Sequence, residues 1–324
     1  MLLLLVTNLL HAAVALLFCV GLRPFTGALS ASRWSHLLGL GLTLPVLVPV
    51  LRLAGAPGLP EGWRLLRSQG WLDLLVDGGW PLWIGFTVLL CGTALIFLFQ
   101  EALPLLYSRR MDHAAVIPEP PPELLARYEA LLEGFRARGH FRWARPPRLQ
   151  LIDEPRAIAA VRGLTDPRVV ISTGIVARLD ERELDGVIAH ELAHVARGGN
   201  LVRLGLWLLR ALQAPNPFAL TLARAHFEAN ESACDALAAA VTGRPAALAS
   251  ALLKTRNRTR LREDQPALRR ARLEVHRRSD LEATRARVLA LLHDRRHTTV
   301  GLGDRFLFRL PRLILIGALL WSIG

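Results

Sequence analysis

The chain has 324 residues, of which 52% are hydrophobic, a mean hydropathy of +0.31 and a formal charge of +13. That hydropathy is high for a soluble protein and calls for membrane spans, while an odd count of three cysteines without regular spacing excludes a disulfide framework. The positive charge is carried by arginine, Lys254 being the single lysine, as a GC-rich coding bias would produce.

Met1 to Leu22 is long enough to cross a bilayer at about 20 residues. No positive charge precedes it and no small-residue cleavage site follows, so it reads as an uncleaved span rather than a signal peptide. Asn8 and His11 lie within it, either as functional groups at membrane depth or as polar groups bonded to neighbours. Trp34 to Leu53 is a second span, expected to kink at Pro45 and Pro49. Leu59 to Gly79 is amphipathic and carries Trp63 and Trp71, which suits a segment lying on the membrane surface. Trp80 to about Leu103 is the third span, with Trp80 and Trp83 at one interface and Tyr107 near the other. Arg23 and Arg33 in the first loop and Arg109 and Arg110 after the third span place the 108–305 region on the cytoplasmic side. Arg52, Arg64 and Arg67 pull against that orientation.

Pro118 to Pro122 is a stiff connector, followed by an amphipathic helix from Glu123 to Arg138 that Gly139 ends. Short strands are expected at Arg148 to Asp153, Ala157 to Val161 and Arg168 to Ser172. Asp180 with Glu183 three residues on forms a capping box, and Leu184, Val187, Ile188, Leu192 and Val195 then fall on one helical stripe. Within this helix stands His190-Glu191-Leu192-Ala193-His194. Histidines four apart lie one above the other on a helix, so both imidazoles can reach one metal ion. Glu191 lies near the middle of the apolar stripe, where a plain core helix would carry Leu or Val. A carboxylate there calls for a metal, a water or a counter-charge, and can act as a base toward metal-activated water.

Gly198-Gly199 breaks the chain, after which Asn200 is positioned to cap an apolar helix from Leu201 to Ala214, ended by Pro215-Asn216-Pro217. A further helix bears Glu231 and Asp235, four apart, on the stripe of Phe227, Cys234, Ala238 and Val241, and stops at Gly243. Glu231 as third ligand leaves one open zinc position, the arrangement of a catalytic site. Asp235, a turn further on, suits the acceptor that fixes a ligating histidine's tautomer. Glu228 competes as ligand but points about 60° off the stripe. Cys234 reads as a small buried residue.

The H-E-L-A-H sequence followed some 35 residues later by E-x-x-C-D resembles the BlaR/MecR-type integral-membrane zinc metallopeptidases. The broader gluzincin pattern, HtpX-type membrane proteases included, shares H-E-x-x-H with a downstream E-x-x-x-D. The Cys234-Asp235 ending is closer to the BlaR/MecR type, and the likeness covers roughly Arg148 to Leu292. The resemblance implies one Zn²⁺ per chain held by His190, His194 and Glu231, with Glu191 as the base, and peptide-bond hydrolysis at the cytoplasmic face of a bacterial inner membrane. It implies regulated cleavage of a cytosolic partner such as a repressor. HtpX-type quality control of membrane proteins is the alternative, and a zinc-binding scaffold that does not cut is the reading outside enzymes. In gluzincins a strand commonly runs along the cleft and receives the substrate as a further strand, a place assigned here to Ala157 to Val161. Arg287 to Leu292 resembles a closing helix of these peptidases, so His276 and Arg287 join His226 as candidates near the site.

The arginine-dense stretch from Lys254 to Arg296 is read first as a solvated helical surface and next as a contact with anionic lipids. Nucleic-acid binding is not expected, since no aromatic interleaving accompanies the charge. Phe306 to Gly324 is the last apolar run, with only about a dozen uninterrupted residues after Arg312, short of a ~30 Å core unless the arginines snorkel. BlaR/MecR-type sensors continue beyond this span into an extracellular penicillin-binding domain, so direct β-lactam sensing is not part of the expectation for these 324 residues. The expected fold is a mainly α membrane protein of about four transmembrane helices, with a cytoplasmic α+β zincin-like domain inserted before the last. Its divisions are a membrane region at 1–107, a connector at 108–147, a metallopeptidase domain at 148–305 and a membrane segment at 306–324.

Overall fold

The computed structural model describes residues 2–23, 30–53, 68–102, 116–117, 119–141, 146–255, 281–292 and 313–317. They fall into two compact units, one of Met1–Asp112, Arg203–Asn230 and Val300–Gly324, the other of His113–Val202 and Glu231–Thr299. The chain is mainly helical, with one small mixed sheet.

In the first unit, α1 (Leu2–Leu22), α2 (Ala31–Leu53) and α4 (Gly79–Phe97, prolonged by a π-helical turn at Leu98–Ala102) are long and apolar enough to cross a membrane. α3 (Ser68–Asp77) precedes α4, while residues 59–67 of the expected surface segment lie outside the described residues. Of the expected last span, only the short helix α12 (313–317) is described. α1 and α2 pack through Ala15, Cys19, Leu37, Leu38, Leu44 and Val48. Pro49 has no N–H to donate to the carbonyl of Pro45, four residues back, and the Asn8 side-chain amide donates to that oxygen instead, at 3.0 Å. Asn8 is therefore bonded to neighbouring helices, and His11 Nδ1 lies 2.8 Å from the Thr7 carbonyl oxygen of its own helix.

The second unit contains β1 (Val116–Ile117), α5 (Pro122–Ala137), β2 (Arg148–Ile152), β3 (Ala159–Arg162), β4 (Arg168–Ser172), α6 (Thr173–Arg178) and α7 (Glu181–Ala196). It also holds the last part of α9 (Pro217–Thr242), α10 (Pro245–Thr255) and α11 (281–292). α8 (Gly199–Leu212) leaves this unit after Val202, and α9 has its first fourteen residues in the first unit.

The sheet order is β1-β2-β4-β3, with β2 and β4 parallel and the two outer strands antiparallel to their neighbours. β4 is central because Val169, Val170 and Ile171 bury on both faces, the pattern of a doubly covered strand. β3 begins two residues later than the expected Ala157. The Ser172 hydroxyl donates to the Arg156 carbonyl at 2.7 Å and accepts from the Ile158 N–H at 2.9 Å, which holds 156–158 out of the ladder. Asn200 does not cap α8, contrary to the expectation. The helix starts at Gly199, and the Asn200 amide donates to the carbonyls of Val161 and Gly163, at 2.9 and 3.0 Å, tying α8 to the end of β3.

α7 starts as its sequence dictates. Asp180 Oδ1 accepts from the N–H groups of Arg182 and Glu183, each at 2.9 Å, and Glu183 Oε2 accepts from the Asp180 N–H at 2.9 Å. A reciprocal cap of this kind stabilises a helix by about 1 kcal/mol. Glu183 is buried and has further partners in Ser250 and Lys254 on α10, at 2.6 and 2.7 Å. Gly186 lets the two helices close up, since a Cβ there would lie 3.2 Å from the Leu248 Cα.

Candidate metal centre

α7 presents His190 and His194 with their Nε2 atoms 3.1 Å apart, one ring edge-on to the other. α9 brings Glu231 against both, with Oε2 3.6 Å from His190 Nε2 and Oε1 3.5 Å from His194 Nε2. Four ligands at zinc's ~2.05 Å bond length sit ~3.3 Å from one another at tetrahedral angles, close to these three separations. The three donor atoms lie within 4.8 Å of one another, the set among the described residues that could hold a metal ion. Two imidazole nitrogens and one carboxylate are a borderline donor set that suits Zn²⁺ and leaves a fourth corner. The residues present therefore fit the metal that the resemblance implies.

Behind these three side chains stand further contacts. His190 Nδ1 lies 2.9 Å from Asp235 Oδ1, an ion-pair contact bent away from a linear hydrogen bond. A carboxylate there keeps the ring proton on Nδ1 and leaves Nε2 free to ligate. Arg287 on α11 grips Asp235 with two donors, Nε to Oδ2 at 2.6 Å and Nη2 to Oδ1 at 2.7 Å, and places Nη1 3.4 Å from Glu231 Oε2. On the other histidine, Cys234 Sγ sits 3.4 Å from His194 Nδ1. Sequence reasoning favours a small buried residue at Cys234 over a redox or metal group and misses this contact, although its place one residue before Asp235 on the same stripe is the available signal.

The electrostatics follow from burial and charge. Burial pushes the His190 pKa down, but its contacts with Asp235 and Glu231 and the charges of Asp235 and Glu191 outweigh this and raise it to about 9. Burial pushes Glu231 up, yet His190, His194 and Arg287 together bring it down to about 2. Asp235 shows the same opposition, burial raising it while Arg287 and His190 hold it at about 2. Burial raises the Cys234 thiol, which stays neutral. The centre is thus carboxylate-rich and favours positive charge between the two helices.

Glu191 is buried at 9% exposure on α7, next to His190. Glu228, the competing ligand, is exposed in the first unit and takes no part in the ligand cluster. His226 also belongs to the first unit, where its Nδ1 donates to the Ser35 carbonyl at 2.7 Å. His276 lies outside the described residues.

Comparison with known proteins points the same way as the geometry. Residues 128–278 match the family model described as BlaR1 peptidase M56, starting some 20 residues earlier and ending some 14 earlier than the likeness read from the sequence. The chain is 34% identical to a Protease HtpX homolog of Acidiphilium cryptum, across 34% of this chain and 50% of that protein. It is 31% identical to Protease HtpX homolog 1 of Streptomyces coelicolor, across 32% and 45% respectively. A shorter match, 55% identical, links 15% of the chain to 18% of a Protease HtpX homolog of Ralstonia pickettii. The chain thus spans about half the length, or less, of the curated relatives it matches. It is similar to membrane zinc metallopeptidases of the BlaR and HtpX type.

Proposed function

We propose that this chain is a membrane-embedded, zinc-dependent endopeptidase that cleaves a cytosolic or membrane-associated protein in regulated signalling. One observation carries the reading: two histidines and a glutamate from separate helices meet at near-tetrahedral spacing, each histidine backed through its other nitrogen. Zinc bound there would supply Lewis acidity toward the scissile carbonyl and lower the pKa of a water toward ~7.

The chain's own residues do the rest. His190, His194 and Glu231 would hold the metal, with Asp235 and Cys234 keeping the two rings in the tautomer that can ligate. Glu191 takes the proton from water and delivers it to the leaving amine, so one carboxyl serves as base and then acid. The outer edge of β3 is the place for an extended substrate to add as a strand. It ends the sheet among the described residues, and the cleft helix α7 packs against it. The arginine pattern favours the cytoplasmic face for this chemistry, and the resemblance favours a bacterial inner membrane. The relatives named Protease HtpX homolog keep the HtpX-type resemblance in view, and with it a second reading, quality control of membrane proteins at the same site and by the same chemistry.

Detergent-purified protein assayed on casein, and for self-cleavage, tests the proposal. Glu191→Gln is expected to lower the rate by about 10²–10⁴-fold while zinc content stays unchanged. Chelator should abolish cleavage and zinc restore it. Undiminished cleavage by Glu191→Gln would remove the proposed base. Absent cleavage in a zinc-loaded parent would favour a scaffold. Comparing proteomes after induction separates one substrate from many.

A further inference from the structure

The turn between α8 and α9 carries a polar cluster that the metal centre does not use, all of it in the first unit. Asn216 Nδ2 donates to Asn8 Oδ1 at 2.8 Å and to the Asn8 carbonyl at 3.2 Å. Asn8 Nδ2 donates to Gln213 Oε1 at 3.1 Å as well as to Pro45. Gln213 Nε2 donates to the carbonyls of Leu42 and Leu209, both at 3.0 Å. Gln213 and Asn216 are buried to within 2%. The turn is therefore bonded into the first two apolar helices, beside the Pro45 carbonyl that Pro49 leaves free.

The depth of that cluster can be read along the helices. α1, with 21 residues, is ~31 Å long and matches a ~30 Å hydrocarbon core. Asn8 stands ~9 Å from the start of α1 and Pro45 ~12 Å from the end of α2, so the cluster lies ~20 Å from the opposite face. α8 has 14 residues, and so has the stretch of α9 from Pro217 to Asn230, giving two arms of ~21 Å each. A second rung fixes the direction: His226 donates to Ser35 near the start of α2. From Asn216 to His226 and from Pro45 back to Ser35 are ten residues each, so α9 runs antiparallel to α2 and in register with it. Gly39 admits the His226 ring, which a Cβ there would meet at 3.3 Å.

The outer face is apolar. Leu204, Leu208 and Leu212, a stripe at four-residue spacing, are 37%, 50% and 73% exposed in the protein alone. Between Leu204 and Ala223 the sequence has one charged residue, Arg210. Arg210 is fully buried, and its Nη1 donates to the carbonyls of Gln213 and Ala214 while the guanidinium lies 5.0 Å over the Phe97 ring. Where charge begins again, Arg224 donates to Gln100 at the far end of α4.

We infer that α8 and the first half of α9 form a re-entrant hairpin. It dips about two thirds of the way into the bilayer from the side where α1 ends and α2 begins, with the Leu204–Leu208–Leu212 stripe against lipid acyl chains. Arms of ~21 Å are too short to span, and their polar tip is satisfied by α1 and α2 rather than by water. The inference does not depend on peptidase activity.

Spin labels at Leu204→Cys, Leu208→Cys and Leu212→Cys test it, placed singly in the Cys91→Ser full chain reconstituted in phosphatidylcholine–phosphatidylglycerol bilayers. The two other cysteines are buried, and the labelled positions are exposed, so packing is preserved. Collision with oxygen against a water-soluble nickel chelate reads the depth. The label at 208, near the midplane, should give the highest oxygen-to-nickel ratio, with lower ratios at 204 and 212, ~8 and ~10 Å from the two faces. Equal shallow depth at the three sites would mean a helix lying on the surface and would overturn the inference. So would nickel contact exceeding oxygen contact at 208 and 212.

Discussion

Asp235 and Cys234 are neighbours on one helix, and they stand behind two histidines one turn apart on another. A carboxylate holds a ring N–H more strongly than a thiol does, so the two replacements should differ. Asp235→Asn is expected to weaken zinc binding about 10–100-fold, and Cys234→Ala by less, with Cys234→Ser close to the parent. Competition against a chromophoric chelator measures all three. pH offers a second handle. The raised His190 pKa of about 9 means that its protonated form adds stability fully below its ordinary ~6.5, and that this is lost as pH rises through 9. Glu231 and Asp235, held at about 2, contribute stability above their ordinary ~4 that fades as pH falls toward 2. The chelated protein should therefore melt at lower temperature at pH 9 than at pH 6. Zinc affinity should move the opposite way, rising over the same range, because binding must displace the His190 proton. Melting curves at the two pH values, with and without zinc, check both signs. At this scale the meeting of His190, His194 and Glu231 could be read from spacing, since i,i+4 histidines and an i,i+4 acidic pair announce one face each. The Cys234 contact could not, because a thiol's partner depends on how two distant helices cross.

The element that presents the histidines is set by its neighbours as much as by its own sequence. Its cap was legible as Asp180 and Glu183. The burial of Glu183 under Ser250 and Lys254 was not, because it needs α10 to arrive from 67 residues away. Gly186 marks that arrival. Gly186→Val should cost about 1–3 kcal/mol by pushing α10 off α7, and a lower denaturant midpoint with unchanged slope would show it. β4 was readable from end to end because a buried apolar run leaves little choice. The start of β3 and the role of Asn200 were not, since side chains at Ser172 and Asn200 bond to backbone that propensity would have given to the strand or the cap. The two-residue β1 is too short to carry any pattern.

For the whole molecule, hydropathy alone located the three helices that can cross a membrane, because length and apolarity are local properties. Which other segments join them is not local. Residues 203–230 group with the membrane helices through Asn8, Ser35 and Leu42, contacts invisible to a reading by consecutive stretches. The family match covers 128–278, the part that holds the candidate metal centre except Arg287. The account as a whole stands on one cation held by two histidines and Glu231, and the zinc content of the purified full chain after chelation and reloading tests it. The parent and Glu228→Gln should each retain about one zinc per chain, and Glu231→Gln less than about a tenth of that. Parent-like zinc in Glu231→Gln, with Glu228→Gln depleted instead, would contradict it.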